Sequence, residues 1–130
     1  MREAKSFVID SSALLAVIYN EKLVIDAKKY FENSSMSVIN ATECIIVLNR
    51  NGMPIEIAKS LLESLISKFV ICEFDNSNNI TNIKNSNKNL GLSIADCFCL
   101  ALGQKLELPI VTADKIWAEA KITSEVICIR

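Results

Sequence analysis

Short apolar runs alternate with longer stretches of helical periodicity along this chain, and that alternation restricts the fold more than any other feature. Five runs have the length and apolar content of buried strands: 6–9, 36–39, 69–74, 109–112 and 126–129. Five segments between them have the pattern of helices: 12–19, 22–33, 40–50, 54–67 and 93–106. The alternation predicts a three-layer α/β/α sandwich around a mostly parallel sheet of four to five strands.

The length and composition are typical of one domain that spans residues 1–130. Hydrophobic residues make up 51% of the chain, which is enough to bury a core. The asparagine-rich segment 75–89 is either an irregular loop or a short helix around Ile80 and Ile83. No apolar stretch reaches the roughly 18 residues of a membrane span, and no signal peptide precedes the first apolar run. We therefore expect a cytoplasmic protein with no membrane anchor.

The cysteines do not have the pattern of a disulfide framework or a zinc site. The chain has five cysteines, an odd number without a C-x-x-C pair, and no histidine. Zinc sites in proteins are built mainly from paired cysteines and histidines. We therefore expect these thiols to be small residues of the core.

Four carboxylates stand within apolar sequence or, for the last of them, at the end of an apolar run. They are Asp10, Glu43, Asp96 and Asp114. Burying a carboxylate costs free energy unless a partner compensates it. Asp10 and Asp114 come at the ends of predicted strands, and Glu43 and Asp96 are expected in the first turns of helices. All four would then meet at the carboxyl edge of the sheet, where function gathers in such folds.

Helix capping is the structural alternative for each acid taken singly. Segments 40–43 and 93–96 fit capping boxes, and Asp10 and Asp114 could be N-caps of the helices that follow. Two carboxylates about 4 Å apart, however, repel each other by roughly 4 kcal/mol, and Ser or Asn would cap without that repulsion. Taken together, the four acids favour a divalent cation site. Ligation by oxygen alone selects Mg²⁺ or Mn²⁺.

A hard cation held by carboxylates is suited to the hydrolysis of phosphate esters. The cation lowers the pKa of a bound water and neutralises charge on the phosphoryl oxygens. RNA cleavage through the 2′-hydroxyl commonly uses imidazole for proton transfer, and this chain has no histidine. The composition therefore favours attack by metal-activated water, which leaves a 5′-phosphate and a 3′-hydroxyl.

Four motifs, in this order along the chain, resemble those of the PIN-domain ribonucleases and, more narrowly, of the toxins of VapBC-type toxin–antitoxin modules. The motifs are D-x-S after the first strand, N-x-x-E at the start of a helix, G-L-S-x-x-D at the start of another and T-A-D-x-x-W after a late strand. They lie in 9–17, 37–43 and 91–117, and the end of the chain, 126–130, matches as well. The resemblance implies a PIN-like nuclease domain and a toxin that hydrolyses RNA with Mg²⁺ or Mn²⁺.

The resemblance also implies a role for individual residues. The implied catalytic and metal-binding acids are Asp10, Glu43, Asp96 and Asp114, of which the first and third are the principal ligands. Ser12 and Thr112 match hydroxyl positions that orient carboxylates or waters. Asn40 matches a further position, although a capping role would account for it. Arg50 and Lys115 are candidates for contacts with substrate phosphate, and ordinary solvated surface is the alternative for both.

Members of this family form homodimers and are neutralised by a cognate antitoxin that inserts a C-terminal segment toward the acidic pocket. The resemblance therefore implies three partners, namely an RNA substrate, an antitoxin and a second copy of the chain. A guanidinium from an antitoxin is a good competitor for a cation-binding pocket. The apolar helices predicted at 12–19 and 22–33 offer surface for a dimer or an antitoxin, with burial in the core as the alternative.

Two other classes of protein remain open at this point. A Mg-dependent phosphohydrolase of the haloacid-dehalogenase kind also begins with an acid after its first strand, but Ser12 replaces the second acid of its D-x-D signature. A covalent phospho-aspartate at Asp10 would identify that class or a receiver-type phosphate acceptor. A non-catalytic interaction module on the same fold usually lacks one or more of the acids, and all four are present here.

Overall fold

The structure, a computed structural model, describes residues 5–130 and has a sheet of five strands in the order β3-β2-β1-β4-β5. The strands are β1 (Phe7–Ile9), β2 (Ser34–Ser37), β3 (Lys68–Val70), β4 (Ile110–Thr112) and β5 (Val126–Cys128). The helices are α1 (Ser11–Ile18), α2 (Lys28–Phe31), α3 (Val38–Arg50), α4 (Ile55–Leu65), α5 (Ser77–Ser86) and α6 (Ile94–Leu106). All four strand pairs are parallel.

Helices cover both faces of the sheet. Since successive residues of a strand point to opposite faces, neighbouring strand residues pack in different cores. Ile9 and Val111 pack in a core formed with α1, α2, α3 and α4. Val8 and Ile110 pack in a second core with α5, α6 and the fully buried Trp117. The predicted three-layer α/β/α sandwich with a parallel sheet is confirmed.

The second strand lies two residues earlier than predicted. We expected a strand at 36–39, but the polar segment Ser34–Ser37 forms β2 and Val38 already begins α3. Each of the four β2 side chains is buried, and the Ser34 hydroxyl donates to the carbonyl of Phe31 at 2.9 Å. Because their hydroxyls can bond the backbone, serines occupy a buried strand that apolar periodicity does not reveal. The apolar pair that suggested the strand is exposed on the first turn of α3.

Two other segments also differ from their sequence predictions. The expected helix at 22–33 shortens to α2, whose start is held by Asp26, with Oδ1 accepting from the Lys28 N–H at 3.1 Å. Val24, which lies within the predicted range, is 73% exposed. Within the asparagine-rich segment, the helical alternative is correct, since α5 forms there and buries Ile83. Strand β3 ends at Val70, earlier than the predicted run 69–74.

A close helix–sheet contact fixes α6 over β4. A Cβ atom at Gly103 would lie 2.4 Å from Cγ1 and from Cδ1 of Ile110. A larger residue would therefore push α6 away from the sheet. Because Asp96 is in the first turn of α6, this contact also helps to position that carboxylate.

The cysteines only partly follow the expectation that all are core residues. Cys44, Cys97 and Cys99 are buried, whereas Cys72 and Cys128 are partly exposed, and all five are free thiols. Burial raises the pKa of Cys44 to about 12, so this thiol stays protonated and unreactive. Among the described residues, no helix has both the length and the apolar content to cross a bilayer.

Candidate active site

Asp10 is the buried centre of the candidate site. It follows β1 directly, is 3% exposed, and occupies the N-cap position of α1 without making a side-chain capping bond. Its Oδ2 instead accepts hydrogen bonds from Ser12 Oγ at 2.5 Å and from Thr112 Oγ1 at 2.9 Å. Capping, the alternative that we considered for Asp10, is therefore wrong. The two residues whose hydroxyls we expected to orient carboxylates both contact this one.

These two hydroxyls are themselves held in place by the backbone after β4. Ser12 Oγ lies 3.2 Å from Thr112 Oγ1 and accepts from the Ala113 N–H at 3.0 Å. Thr112 Oγ1 also accepts from the Asp114 N–H at 3.1 Å. This network joins the chain after β1 to the chain after β4, so Oδ2 of Asp10 has a fixed position.

Burial sets the ionisation of Asp10. Its pKa is raised from 3.8 to about 7, with desolvation by burial as the largest cause. The negative charges of Asp96 and Glu43 add to the rise, and the hydrogen bonds from Ser12 and Thr112 oppose it. A carboxylate in this setting is ionised only at a cost in free energy unless a cation joins it. A cation bound next to Asp10 would therefore strongly favour the ionised carboxylate and lower its pKa.

Glu43 and Asp96 approach Asp10 from opposite sides of the sheet, on α3 and α6. Glu43 is half-buried and is the sixth residue of α3, so our prediction that it lies in the first turn is wrong. Asp96 does lie in the first turn of α6 and forms the predicted capping box with Ser93. The Ser93 N–H donates to Asp96 Oδ2 at 2.9 Å, and the Asp96 N–H donates to Ser93 Oγ at 3.1 Å.

Asp10, Glu43 and Asp96 form what we call the acid cluster. Besides the two charges that act on Asp10, all three raise the pKa of the buried Cys99 thiol, after the larger effect of its burial. Shared electrostatic neighbours show that folding brings these acids together from three distant parts of the chain. Of the four acids that we predicted to meet at the carboxyl edge of the sheet, these three are the ones that influence one another.

Asp114 lies at the margin of the acid cluster. Its side chain is exposed and caps the 3₁₀ turn Lys115–Glu119, with Oδ1 accepting from the Ile116 N–H at 3.1 Å. Its charge is not among those that raise the pKa of Asp10. The capping alternative describes Asp114 correctly in this structure, and its backbone N–H reaches the acid cluster through the Thr112 hydroxyl.

Asn40 is buried between the helices that carry the acids. Its Nδ2 donates to the carbonyl of Ala95 at 3.0 Å, and its own backbone carbonyl accepts from Ser11 Oγ at 3.1 Å. It is not a cap, because Ser37 is the N-cap of α3 and accepts from the Ile39 N–H at 3.1 Å. We did not predict the contact from Ser11. The only sequence signal for it was a hydroxyl residue directly after Asp10, in addition to Ser12.

An open groove runs beside Glu43. It is lined by Ile39, Thr42, Glu43, Ile46, Val47, Arg50 and Ala95. Arg50 is exposed at one wall of this groove, two helical turns beyond Glu43, whereas Lys115 is exposed directly after Asp114. The groove therefore places one cation on the same surface as a carboxylate of the acid cluster.

The chemistry of the acid cluster fits a hard cation, although the carboxylates are not drawn into a closed ligand set. Within residues 5–130, no three acidic or thiol side chains are arranged to hold a metal ion as they stand. Asp10 and Asp96 each use one oxygen for the hydrogen bonds described above. The donors that remain are carboxylate oxygens, which suit Mg²⁺ or Mn²⁺.

Comparison with known proteins gives a family and a fold. A sequence model of the PIN domain matches residues 7–122. VapC20 from Mycobacterium tuberculosis, a Sarcin-Ricin loop cleaving toxin, superposes with a TM-score of 0.67 at 14% identity over 91% of this chain and 97% of its own. FitAcB from Neisseria gonorrhoeae superposes with a TM-score of 0.66 at 15% identity, over 93% of this chain and 96% of its own. VapBC-5 from Mycobacterium tuberculosis superposes with a TM-score of 0.66 at 17% identity, over 97% of this chain and 99% of its own. Among curated proteins, none matches this sequence.

Proposed function

Because this chain belongs to the PIN domain family, we propose that it is a metal-dependent endoribonuclease and the toxin of a type II toxin–antitoxin system. The observation that carries the proposal is the buried carboxyl of Asp10, whose pKa is raised to about 7 by burial and by the charges of Asp96 and Glu43. In a protein without a metal ion, repulsion among these carboxylates only destabilises the fold. In a protein that binds a divalent cation, the same negative charges favour binding of the ion.

The residues would divide the work as follows. Asp10 and Asp96 would hold Mg²⁺ or Mn²⁺, and Glu43 would contact it directly or through water. A cation held there would supply a lowered pKa for water and positive charge for the phosphoryl oxygens. Ser12 and Thr112 hold Oδ2 of Asp10 so that its carboxylate does not rotate away from the site. The products would carry a 5′-phosphate and a 3′-hydroxyl.

We also propose substrate contacts outside the acid cluster. Arg50 lies in the groove beside Glu43, where a guanidinium can bind the RNA phosphate next to the one that is cut. Lys115 is exposed directly after Asp114, where its ammonium group would bind another phosphate of the RNA. The chain has a net charge of −1, so such local cations, rather than an overall positive field, would attract RNA.

The proposed partners are a cognate antitoxin and a second copy of the chain. Solved structures with this fold include a toxin–antitoxin complex from Klebsiella pneumoniae and FitAB bound to a DNA fragment. Exposed apolar side chains are available close to the acid cluster, namely Ile39 and Ile46 in the groove and Ile94 at the start of α6. An antitoxin that covers them would bring a guanidinium to the carboxylates.

The proposal is tested by incubating the purified protein with labelled RNA in Mg²⁺, in Mn²⁺ and in EDTA. We expect cleavage only with a metal ion, and 5′-phosphate ends on the products. Undiminished cleavage in EDTA, or products that end in a cyclic phosphate, would contradict it. A phosphoryl group trapped on Asp10 would indicate a phosphohydrolase. Absence of both cleavage and Mn²⁺ binding would indicate a non-catalytic module.

Asp114→Asn is expected to lower Mn²⁺ affinity by no more than about tenfold, less than substitution of an acid of the acid cluster. The reason is that Asp114 is exposed and its carboxylate caps a turn, a role that asparagine also fills. Calorimetric titration with Mn²⁺ measures the effect. Asp26→Asn is the matched control, because Asp26 is an exposed aspartate that accepts from a backbone N–H in the same way, also at 3.1 Å. A loss as large as that for Asp96→Asn would place Asp114 among the principal ligands.

A further inference from the structure

Asn40 connects the two principal acids, although it caps no helix. We propose that Asn40 is a positioning residue of the acid cluster: it fixes the separation of Asp10 and Asp96, and its Oδ1 accepts a hydrogen bond from a water molecule held in the cluster. This inference rests on the metal site of the proposed function. It adds a residue that acts on that site without belonging to the set of acids.

The first part follows from two hydrogen bonds that reach the neighbours of both acids. Asn40 Nδ2 donates to the carbonyl of Ala95, the residue before Asp96, at 3.0 Å. The hydroxyl of Ser11, the residue after Asp10, donates to the backbone carbonyl of Asn40 at 3.1 Å. One residue of α3 thus links the start of α1 to the start of α6. Since both bonds are buried or partly buried, water competes with them poorly.

The second part follows from an acceptor that lacks a donor. Asn40 is fully buried, and no residue among 5–130 donates a hydrogen bond to its Oδ1. An unsatisfied buried acceptor destabilises the folded state, and a leucine of similar size would avoid that loss. Ionised carboxylates accept hydrogen bonds and do not donate them, so the donor that we expect at Oδ1 is water. Glu43 lies three residues further on the same helix, on the neighbouring part of its surface.

Asn87 supplies a matched control elsewhere in the fold. It is also buried, at 2% exposure, but both of its side-chain polar atoms have partners. Its Nδ2 donates to the Ile83 carbonyl at 2.8 Å, and its Oδ1 accepts from the Lys121 N–H at 2.7 Å. Neither partner adjoins an acid of the acid cluster. Replacing Asn87 therefore removes a buried asparagine with its hydrogen bonds and leaves the cluster untouched.

The experiment compares Mn²⁺ affinity, by calorimetry, in the wild type, Asn40→Leu and Asn87→Leu, with thermal unfolding measured in EDTA. We expect both variants to change the melting temperature, and only Asn40→Leu to weaken Mn²⁺ binding, by about tenfold to a hundredfold. Ser11→Ala removes the other hydrogen bond of this link, the one to the backbone carbonyl of Asn40 that Asn40→Leu retains, with little loss of volume. It should weaken Mn²⁺ binding in the same direction, and it provides the test should Asn40→Leu fail to fold.

Wild-type Mn²⁺ affinity in folded Asn40→Leu, or in Ser11→Ala if the leucine variant does not fold, overturns the inference and leaves the proposed function standing. A wild-type protein that neither binds Mn²⁺ nor cleaves RNA overturns both. Equal weakening in Asn87→Leu would show a general effect of destabilisation and also defeats the inference. A crystal structure with Mn²⁺ should show a water at Oδ1, and an Oδ1 that still lacks a donor contradicts the second part.

Discussion

Asp10→Asn is expected to make the metal-free protein more stable at pH values above about 7, by at most about 4 kcal/mol. The pKa of this carboxyl rises from 3.8 to about 7 on folding, and each unit corresponds to about 1.36 kcal/mol. The folded state therefore favours the protonated form. Stability from this group is fully present below pH 3.8 and is lost as the pH rises to about 7. An asparagine cannot ionise and escapes that loss.

Denaturant unfolding of both proteins in EDTA across this pH range measures the effect. The difference in unfolding free energy between Asp10→Asn and the wild type should grow with pH up to about 7 and then level off. Addition of Mn²⁺ should reverse the order, because only the wild type retains the buried ligand and gains stability by binding. A variant that is less stable than the wild type at all pH values, or one that Mn²⁺ stabilises equally, would contradict the role given to Asp10.

Asp96→Asn is expected to reduce RNA cleavage by at least about a hundredfold while leaving the fold intact. Loss of a metal ligand should exceed the effects known for residues that only orient ligands. The fold should tolerate the change because the carbonyl oxygen of asparagine can accept the Ser93 N–H that Asp96 Oδ2 accepts now. Single-turnover cleavage of labelled RNA, together with circular dichroism, tests both halves.

Glu73→Gln is the matched control for this variant. Glu73 also belongs to a capping box, as the N-cap residue of a 3₁₀ turn outside the acid cluster, where its backbone N–H donates to Asn76 Oδ1 at 3.2 Å. Glu73→Gln should leave cleavage unchanged, since it removes an acid outside the cluster and keeps that backbone bond. If Asp96→Asn cuts RNA at the wild-type rate, the carboxylate of Asp96 is only a cap, and the central element of the proposed function is lost.

The amino-acid sequence by itself determined the class of fold, and it predicted four site acids, three of which form the acid cluster. Alternating apolar runs and helical segments are local patterns, so they predicted the layers and the parallel sheet without any coordinates. The capping box at Ser93 and Asp96 is also local and was read correctly. Strand β2, Ser34–Ser37, was not predicted at its correct position, because three of its four residues are serines and no apolar period marks the segment.

Only the tertiary structure decided which acids interact and what holds them. Ser12 and Thr112 are 100 residues apart, and their shared contact with Asp10 depends on β1 and β4 being neighbours in the sheet. The burial that raises the pKa of Asp10, the marginal place of Asp114 and the link made by Asn40 likewise result from packing. Spacing along a chain specifies periodicity and capping, whereas desolvation and hydrogen bonds between distant residues exist only once the layers have closed.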